Sequence, residues 1–299
     1  MNLSTHEGLF RWDPACWLRT TGSDAASFLQ GQFTNDVRQL TAGQCIYGLW
    51  LSVKGRVLAD SFVIRGAAEN EFWIGSYASP AGVIRERLEG YIIADDVTLE
   101  DQTAGWIGLT VIHPGALAVV QAARDLSGGS GFVFPGRRGG DHAEWVFPRE
   151  QVEKAADCFA RLPPLDQAAM DLRRIEAGIP AVPADIGPAD LPNEGGLEST
   201  AVSYTKGCYL GQEVMARLKS MGQVRRRLLR VHGRPRAAPP LPAPLFAGSR
   251  QVGELRSCAT RPDGEHIGLA LLALLHVDAG TDLAFAVGGE AAFRLLDSP

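Results

Sequence analysis

The sequence predicts an α+β fold that ends in a small β-barrel. Strand-like and helix-like runs mix up to about residue 224 without the regular βαβ alternation of a doubly wound parallel sheet. The prolines at 235, 239, 240, 242 and 244 then change the texture, because proline lacks an amide donor and resists helices and central strands. Around and beyond them lie about five strand-like runs in roughly 75 residues, the spacing of a small barrel. The chain has 299 residues, 45% apolar and 21% charged, enough for a sizeable core divided into two or three domains.

The elements follow in order. Cys16 to Thr20 reads as a strand. Ser23 is the expected N-cap of a helix over Asp24 to Gln30, with Ala25, Phe28 and Leu29 inward and Gly31 as its stop. Cys45 to Val53 and Arg56 to Ile64 form a hairpin around Lys54-Gly55. Glu71 to Tyr77 is a strand. Pro80 opens a helix to about Gly90, with Val83, Ile84 and Leu88 on one face. Strands are expected at Val97–Glu100 and Trp106–Ile112, then a helix from Gly115 to Leu126. Gly-rich loops cross 127–131 and 136–140, with strands flanking the second. Helices follow at Arg149–Leu162, carrying Val152, Ala156 and Phe159, and at Pro164–Ala177, with Leu165, Ala168, Leu172 and Ile175 as its buried stripe. The barrel strands are expected at 227–232, 251–260, 266–275, 282–287 and 291–296.

Net charge is −5, so the chain as a whole is no nucleic-acid polyelectrolyte. The distribution is uneven: Lys206 to Arg236 carries nine basic residues against Glu213 alone, a local +8 on a body of −13. Such a patch suits an anionic small molecule or a short nucleic-acid contact. Five scattered cysteines, without CxxC or zinc-ligand spacing, read as reduced thiols in a cytoplasm, and no metal site is expected. Met1 to Glu7 lacks the basic and apolar regions of a signal peptide. The longest apolar run, Gly268 to Leu275, falls far short of the about 20 residues that a membrane span needs.

Three constellations carry chemistry. Thr205-Lys206-Gly207-Cys208-Tyr209-Leu210-Gly211-Gln212-Glu213 sets a thiol two positions from an ammonium, which favours thiolate. Cys208 reads as a reactive thiol tuned by Lys206, or as a free cysteine that packs. Glu176 closes an amphipathic helix at the end where the dipole disfavours anions, so it needs another partner. A carboxylate there can accept two parallel N–H bonds from an amidine-like edge, or pair locally with Arg173 or Arg174. In Arg225-Arg226-Arg227-Leu228-Leu229-Arg230, strand alternation puts Arg225 and Arg227 on one face and Arg226 and Arg230 on the other. This reads as an anion-binding face or as a charged edge strand. Gly128-Gly129-Ser130-Gly131 matches no phosphate-binding loop.

Lys206 to Glu213 resembles the signature of the YgfZ-type folate-binding proteins, relatives of the glycine-cleavage T-protein (aminomethyltransferase) and of mitochondrial factors for iron–sulfur protein maturation. Leu29-Gln30-Gly31-Gln32-Phe33-Thr34-Asn35-Asp36-Val37 resembles that family's N-terminal motif. Ser52-Val53-Lys54-Gly55-Arg56-Val57-Leu58-Ala59-Asp60 resembles its hairpin. Glu176-Ala177-Gly178-Ile179 and Leu191-Pro192-Asn193-Glu194 resemble its ligand-side segments.

The resemblance implies a three-lobed ring of mixed α/β subdomains around a central folate pocket, closed by the barrel. The expected division is a folate-binding region, 1–224, and a barrel, 225–299. Within the first, 1–44 goes with 101–200, and 45–100 with 201–224. Glu176 matches the family glutamate on the pteridine edge, with Glu194 a second candidate. Arg225, Arg226 and Arg227 match the region that meets the benzoyl-glutamate tail. The implied ligand is tetrahydrofolate or a one-carbon derivative. The implied role is accessory to the assembly or repair of iron–sulfur enzymes, including tRNA-modifying ones, with iron–sulfur client or assembly proteins as partners and no membrane.

The T-protein places an essential aspartate after its third strand. Here no carboxylate lies between Glu71 and Glu86. An accessory factor is therefore expected over an active aminomethyltransferase. Folate-dependent one-carbon transfer and a tRNA-binding module stand as alternatives.

Overall fold

The computed structural model describes residues 7–222, 224–235 and 239–297. Residues 1–6, read above for a signal peptide, and Arg236 of the basic run lie outside the described residues. The fold is α+β, with three antiparallel sheets, each over its own apolar cluster.

The first sheet orders β1 (Gly8–Trp12), β7 (Trp106–Ile112), β9 (His142–Pro148) and β8 (Phe132–Phe134). Helix α3 (Ala116–Leu126) packs on it through Ala116 and Val120. The second sheet orders β3 (Cys45–Leu51), β4 (Val57–Arg65), β5 (Phe72–Ser76), β2 (Cys16–Thr21) and β6 (Thr98–Asp101). Its helices are α1 (Ala25–Gln32) and α2 (Ala81–Glu89). The two sheets meet across large aromatics. Trp17 and Trp73 of the second lie 5.5 and 4.7 Å from Trp106 of the first, ring centre to ring centre.

The third sheet orders β11 (Ala243–Ala247), β12 (Arg250–Thr260), β13 (His266–Ala273), β10 (Arg226–Gly233), β15 (Phe293–Leu295) and β14 (Asp282–Leu283). Phe246 and Ala284 exchange main-chain hydrogen bonds of 2.8 and 2.9 Å, which nearly closes these six strands into a barrel. Helix α5 (Gln167–Glu176) packs Ile175 against Ile267 and Leu269 of β13, joining barrel to body.

Several expectations are corrected. Strand β1 went unread. β2 pairs with β5 and β6, so residues 16–21 belong with the 45–100 segment and not with 101–200. Helix α1 is preceded by Asp24 rather than Ser23 and runs through Gly31, which meets open space. Val83 is exposed; Ala81, Ile84 and Leu88 form the buried face of α2. The helix expected at 149–162 is a 3₁₀ turn followed by a short α4 (Val152–Asp157), with Ala155 inward in place of Ala156. α5 starts at Gln167, after the prolines, and buries Met170, Arg173 and Ile175, while Ala168 is exposed. β11 emerges from the proline-rich stretch, where an edge position tolerates Pro244. α6 (Gln212–Met221) follows the cysteine motif.

Candidate functional site

The three sequence motifs of the body come together. Lys206 is buried, and its ammonium donates to the main-chain oxygens of Gln30 (2.7 Å), Phe33 (2.6 Å) and Asn35 (2.9 Å). These carbonyls lie at the end of α1, where the dipole favours a cation. Burial pushes the Lys206 pKa down to about 8. All three N–H donors are thus used on carbonyls, and Lys206 anchors the cysteine loop rather than serving the thiol. Leu210 N donates to Gly31 O at 3.1 Å and Ser203 N to Thr34 O at 2.9 Å, completing the seam.

The hairpin tip packs on the same loop. Gly55 (φ +69°) and Gly211 (φ +87°) both require the left-handed region. A Cβ on Gly211 would lie 2.9 Å from Ser52 O, and one on Gly55 would meet Val214 of α6. Gly207 has no such constraint. Cys208 is exposed at the surface of this loop. A shallow depression of about 630 Å³ borders the loop, with Asn35, Asp36, Ser203 and Thr205 among its lining.

A cavity of about 450 Å³ lies between the two body sheets and α5, within the roughly 300–1,000 Å³ of small-molecule sites. β1 and its turn supply Phe10, Trp12 and Asp13. Asp60 comes from β4, Tyr77 follows β5, and Arg137 and Arg138 come from the glycine-rich loop before β9. Gln167, Asp171 and Arg174 of α5 face it, and Ile179 to Val182 cover it.

The floor is a hydrogen-bonded network. Glu144, fully buried, accepts from Trp12 Nε1 (2.9 Å), Thr110 Oγ1 (2.7 Å) and Tyr77 OH (2.7 Å), with Arg138 Nε at 3.6 Å. The Arg138 guanidinium stacks 3.8 Å over Tyr77. Asp60 accepts from Ser76 Oγ (2.8 Å), Ser79 Oγ (2.6 Å) and Tyr47 OH (3.0 Å). Burial, reinforced by the neighbouring carboxylates, holds the Tyr47 and Tyr77 phenols well above their usual range, so both stay protonated.

The other expected ligand residues lie elsewhere. Glu176 sits on the face of α5 opposite Gln167, Asp171 and Arg174, because nine residues turn a helix through two and a half turns. Its carboxylate accepts from Arg261 Nε at 2.9 Å, and it borders a separate cleft of about 390 Å³ against the barrel. Glu194 is buried and takes a two-pronged contact from Arg226, 2.9 Å from Nε and 3.2 Å from Nη2. Arg226 also reaches Asp190 at 3.2 Å, so this cluster staples the barrel to the body. Arg225 and Arg227 are exposed at the start of β10. The alternation placed Arg226 opposite its neighbours correctly, but none of the three lines the cavity.

Sequence reading did not place Asp60, Tyr77, Arg137, Arg138 or Arg174 at a cavity. The signal available was Asp60 closing the hairpin motif; Arg137 and Arg138 lie in the glycine-rich loop over 136–140, and Arg174 lies on α5, where it was read only as a local partner for Glu176. Among the described residues, no group of three His, Cys, Asp or Glu could hold a metal ion, and no helix is long and apolar enough to cross a membrane.

Residues 2–134 match the family model of the GCVT N-terminal domain, and residues 225–296 match that of the CAF17 C-terminal beta-barrel domain. The chain is 30% identical over 288 residues to the mitochondrial iron–sulfur cluster assembly factor IBA57 of Homo sapiens, covering 88% of this chain and 76% of that protein. It is 27% identical to the tRNA-modifying protein YgfZ of Edwardsiella ictaluri, covering 97% and 91%. An aminomethyltransferase of Exiguobacterium sibiricum is 25% identical, covering 94% and 82%. Among solved structures, aminomethyltransferase T of the glycine cleavage system from Bartonella henselae superposes with a TM-score of 0.81 at 20% identity, covering 98% of this chain and 86% of that one, a likeness of fold.

Proposed function

We propose that this chain, which belongs to the family of the iron–sulfur assembly factor IBA57 and the tRNA-modifying protein YgfZ, binds a reduced folate and acts as an accessory protein for iron–sulfur enzymes. The observation that carries the ligand is the polarity of the cavity. Phe10, Trp12 and Tyr77 offer aromatic faces for a flat ring. Asp60 offers an acceptor for ring N–H groups, and Arg11 and Arg137 offer cations for the two carboxylates of the tail. Tetrahydrofolate or a one-carbon derivative has that distribution of groups. When bound, such a ligand supplies a carrier for a one-carbon unit.

The chain's own residues hold and orient it. The Glu144 network keeps the Tyr77 hydroxyl and the Arg138 guanidinium in place, and residues 179–182 shield the ring from water. Cys208, outside the cavity and exposed, is the group offered to a partner. Its anchored loop keeps the thiol presented rather than collapsed. The partners are iron–sulfur client or assembly proteins, and a link to tRNA runs through such clients. Five unpaired thiols support a reducing compartment such as the cytoplasm.

Calorimetry with tetrahydrofolate tests the ligand: micromolar binding is expected, and no heat above the buffer control sinks the reading. Complementation of a deletion strain tests the thiol. Full rescue of iron–sulfur enzyme activity by Cys208→Ala removes Cys208 from the function.

One observation favours a second reading, one-carbon transfer. Asp60 is held by Ser76 and Ser79, which belong to the segment that lacks a carboxylate of its own. Formation of methylene-tetrahydrofolate from an aminomethyl donor, above a protein-free control and abolished by Asp60→Asn, would establish it.

A further inference from the structure

We infer that Asp60, and not Glu176, is the carboxylate that anchors the nitrogen-rich ring of the ligand; the inference rests on the cavity being the folate site. Three observations carry it.

The first is position. Asp60 lines the cavity, whereas Glu176 lies on the far face of α5 and borders a different cleft. For Glu176 to reach the cavity, α5 would have to turn by about half a revolution. That would drag Ile175 off Ile267 and Leu269 of the barrel and break the Arg261 contact.

The second is spare capacity. Each carboxylate oxygen accepts about two hydrogen bonds. Oδ1 of Asp60 is filled by Ser76 and Ser79, while Oδ2 takes only Tyr47. One acceptor site therefore remains on a side chain clamped from three directions. That is the arrangement for reading a single N–H without reorganisation on binding.

The third is uncompensated charge. Asp13 is paired with Arg149 at 2.7 Å, and Asp171 lies 3.3 Å from Arg174, which it shares with the buried Asp185 at 2.6 Å. Asp60 meets hydroxyls alone and forms no ion pair among the described residues. Of the carboxylates lining the cavity, Asp13 and Asp171 each touch an arginine, and Asp60 touches none among the described residues. A pteridine ring presents N–H donors and a folate tail presents anions, so the ring goes to Asp60. The tail goes to Arg11, exposed at the mouth, and to Arg137, whose guanidinium lies 4.0 Å over the Tyr47 ring.

The test is calorimetry of the full chain with tetrahydrofolate, comparing wild type, Asp60→Asn and Glu176→Gln. Asp60→Asn is expected to weaken binding roughly 10- to 100-fold, the worth of one hydrogen bond to a charged acceptor. Glu176→Gln is expected to change affinity less than about threefold, the range of surface substitutions. Wild-type binding undiminished in Asp60→Asn overturns this inference and leaves the folate site standing. A wild type that binds no reduced folate overturns both. Should Asp60→Asn fail to fold, a crystal structure of the wild-type complex decides. An Asp60 oxygen within about 3 Å of a ring nitrogen supports the inference. A ring held by Glu176 and remote from Asp60 refutes it.

Discussion

The ammonium of Lys206 lies 2.6 Å from the main-chain oxygen of Phe33, 173 residues away in sequence. Through this contact the cysteine loop and the end of α1 become one unit. The exposed position of Cys208 is a consequence, since the loop cannot fold inward while its lysine is held.

Lys206→Met should therefore strip three buried carbonyls of their donor and destabilise the protein by about 2–4 kcal/mol at pH 7. The variant also isolates a pH effect. The Lys206 pKa is near 8 when folded against an ordinary 10.5, so between those values the unfolded chain binds the extra proton. Stability then rises with pH across that window and is lost as pH falls through about 8. Urea melts at pH 7.5 and 10 should show wild type gaining on the order of 2 kcal/mol relative to Lys206→Met. Parallel pH profiles would refute the assigned burial of the charge.

Thiol labelling should follow exposure. Cys158 and Cys208 are exposed, while burial drives the Cys16 and Cys45 thiols far above the ordinary range and pushes Cys258 up to about 11. Brief iodoacetamide treatment of native protein, read by mass spectrometry, should modify Cys158 and Cys208 first. Cys16 and Cys45 should react only after denaturation. Cys208→Ser should leave stability within about 0.5 kcal/mol.

The arginine run should divide by face. Arg226→Ala leaves Glu194 and Asp190 short of a partner and should cost about 1–3 kcal/mol, less than a fully buried pair because Arg226 is partly exposed. Arg225→Ala and Arg227→Ala should stay within about 0.5 kcal/mol. Equal losses at all three positions, measured by urea denaturation, would contradict the assigned pairing.

Tyr77→Phe removes one of the donors to Glu144 and the acceptor for Arg137 N at 3.1 Å. It should cost about 1–3 kcal/mol in stability and loosen the cavity wall. Thermal melting checks the first, and the affinity for tetrahydrofolate, expected to fall, checks the second.

Local order was legible wherever one segment decides its own state. Lys54-Gly55 announces the hairpin because a left-handed glycine marks the turn. The alternation of Arg225, Arg226 and Arg227 separates their faces because a strand has a period of two. The cysteine motif was legible as a unit, but not what its lysine does. Three carbonyls more than 170 residues away claim the ammonium that sequence proximity assigned to Cys208.

The sequence by itself determined the α+β class, the C-terminal barrel and the motifs that knit the body together. These rest on periodicity, on proline and glycine, and on short-range spacing. The tertiary structure alone decided which charges are spent and which are free. A carboxylate's role depends on the partner that folding brings to it. Arg261 takes Glu176 and Arg226 takes Glu194, from elements separated from them by 85 and 32 residues. Asp60 is left facing the cavity among hydroxyls. No window along the chain contains that comparison, because the competing partners meet only when the sheets and the barrel pack.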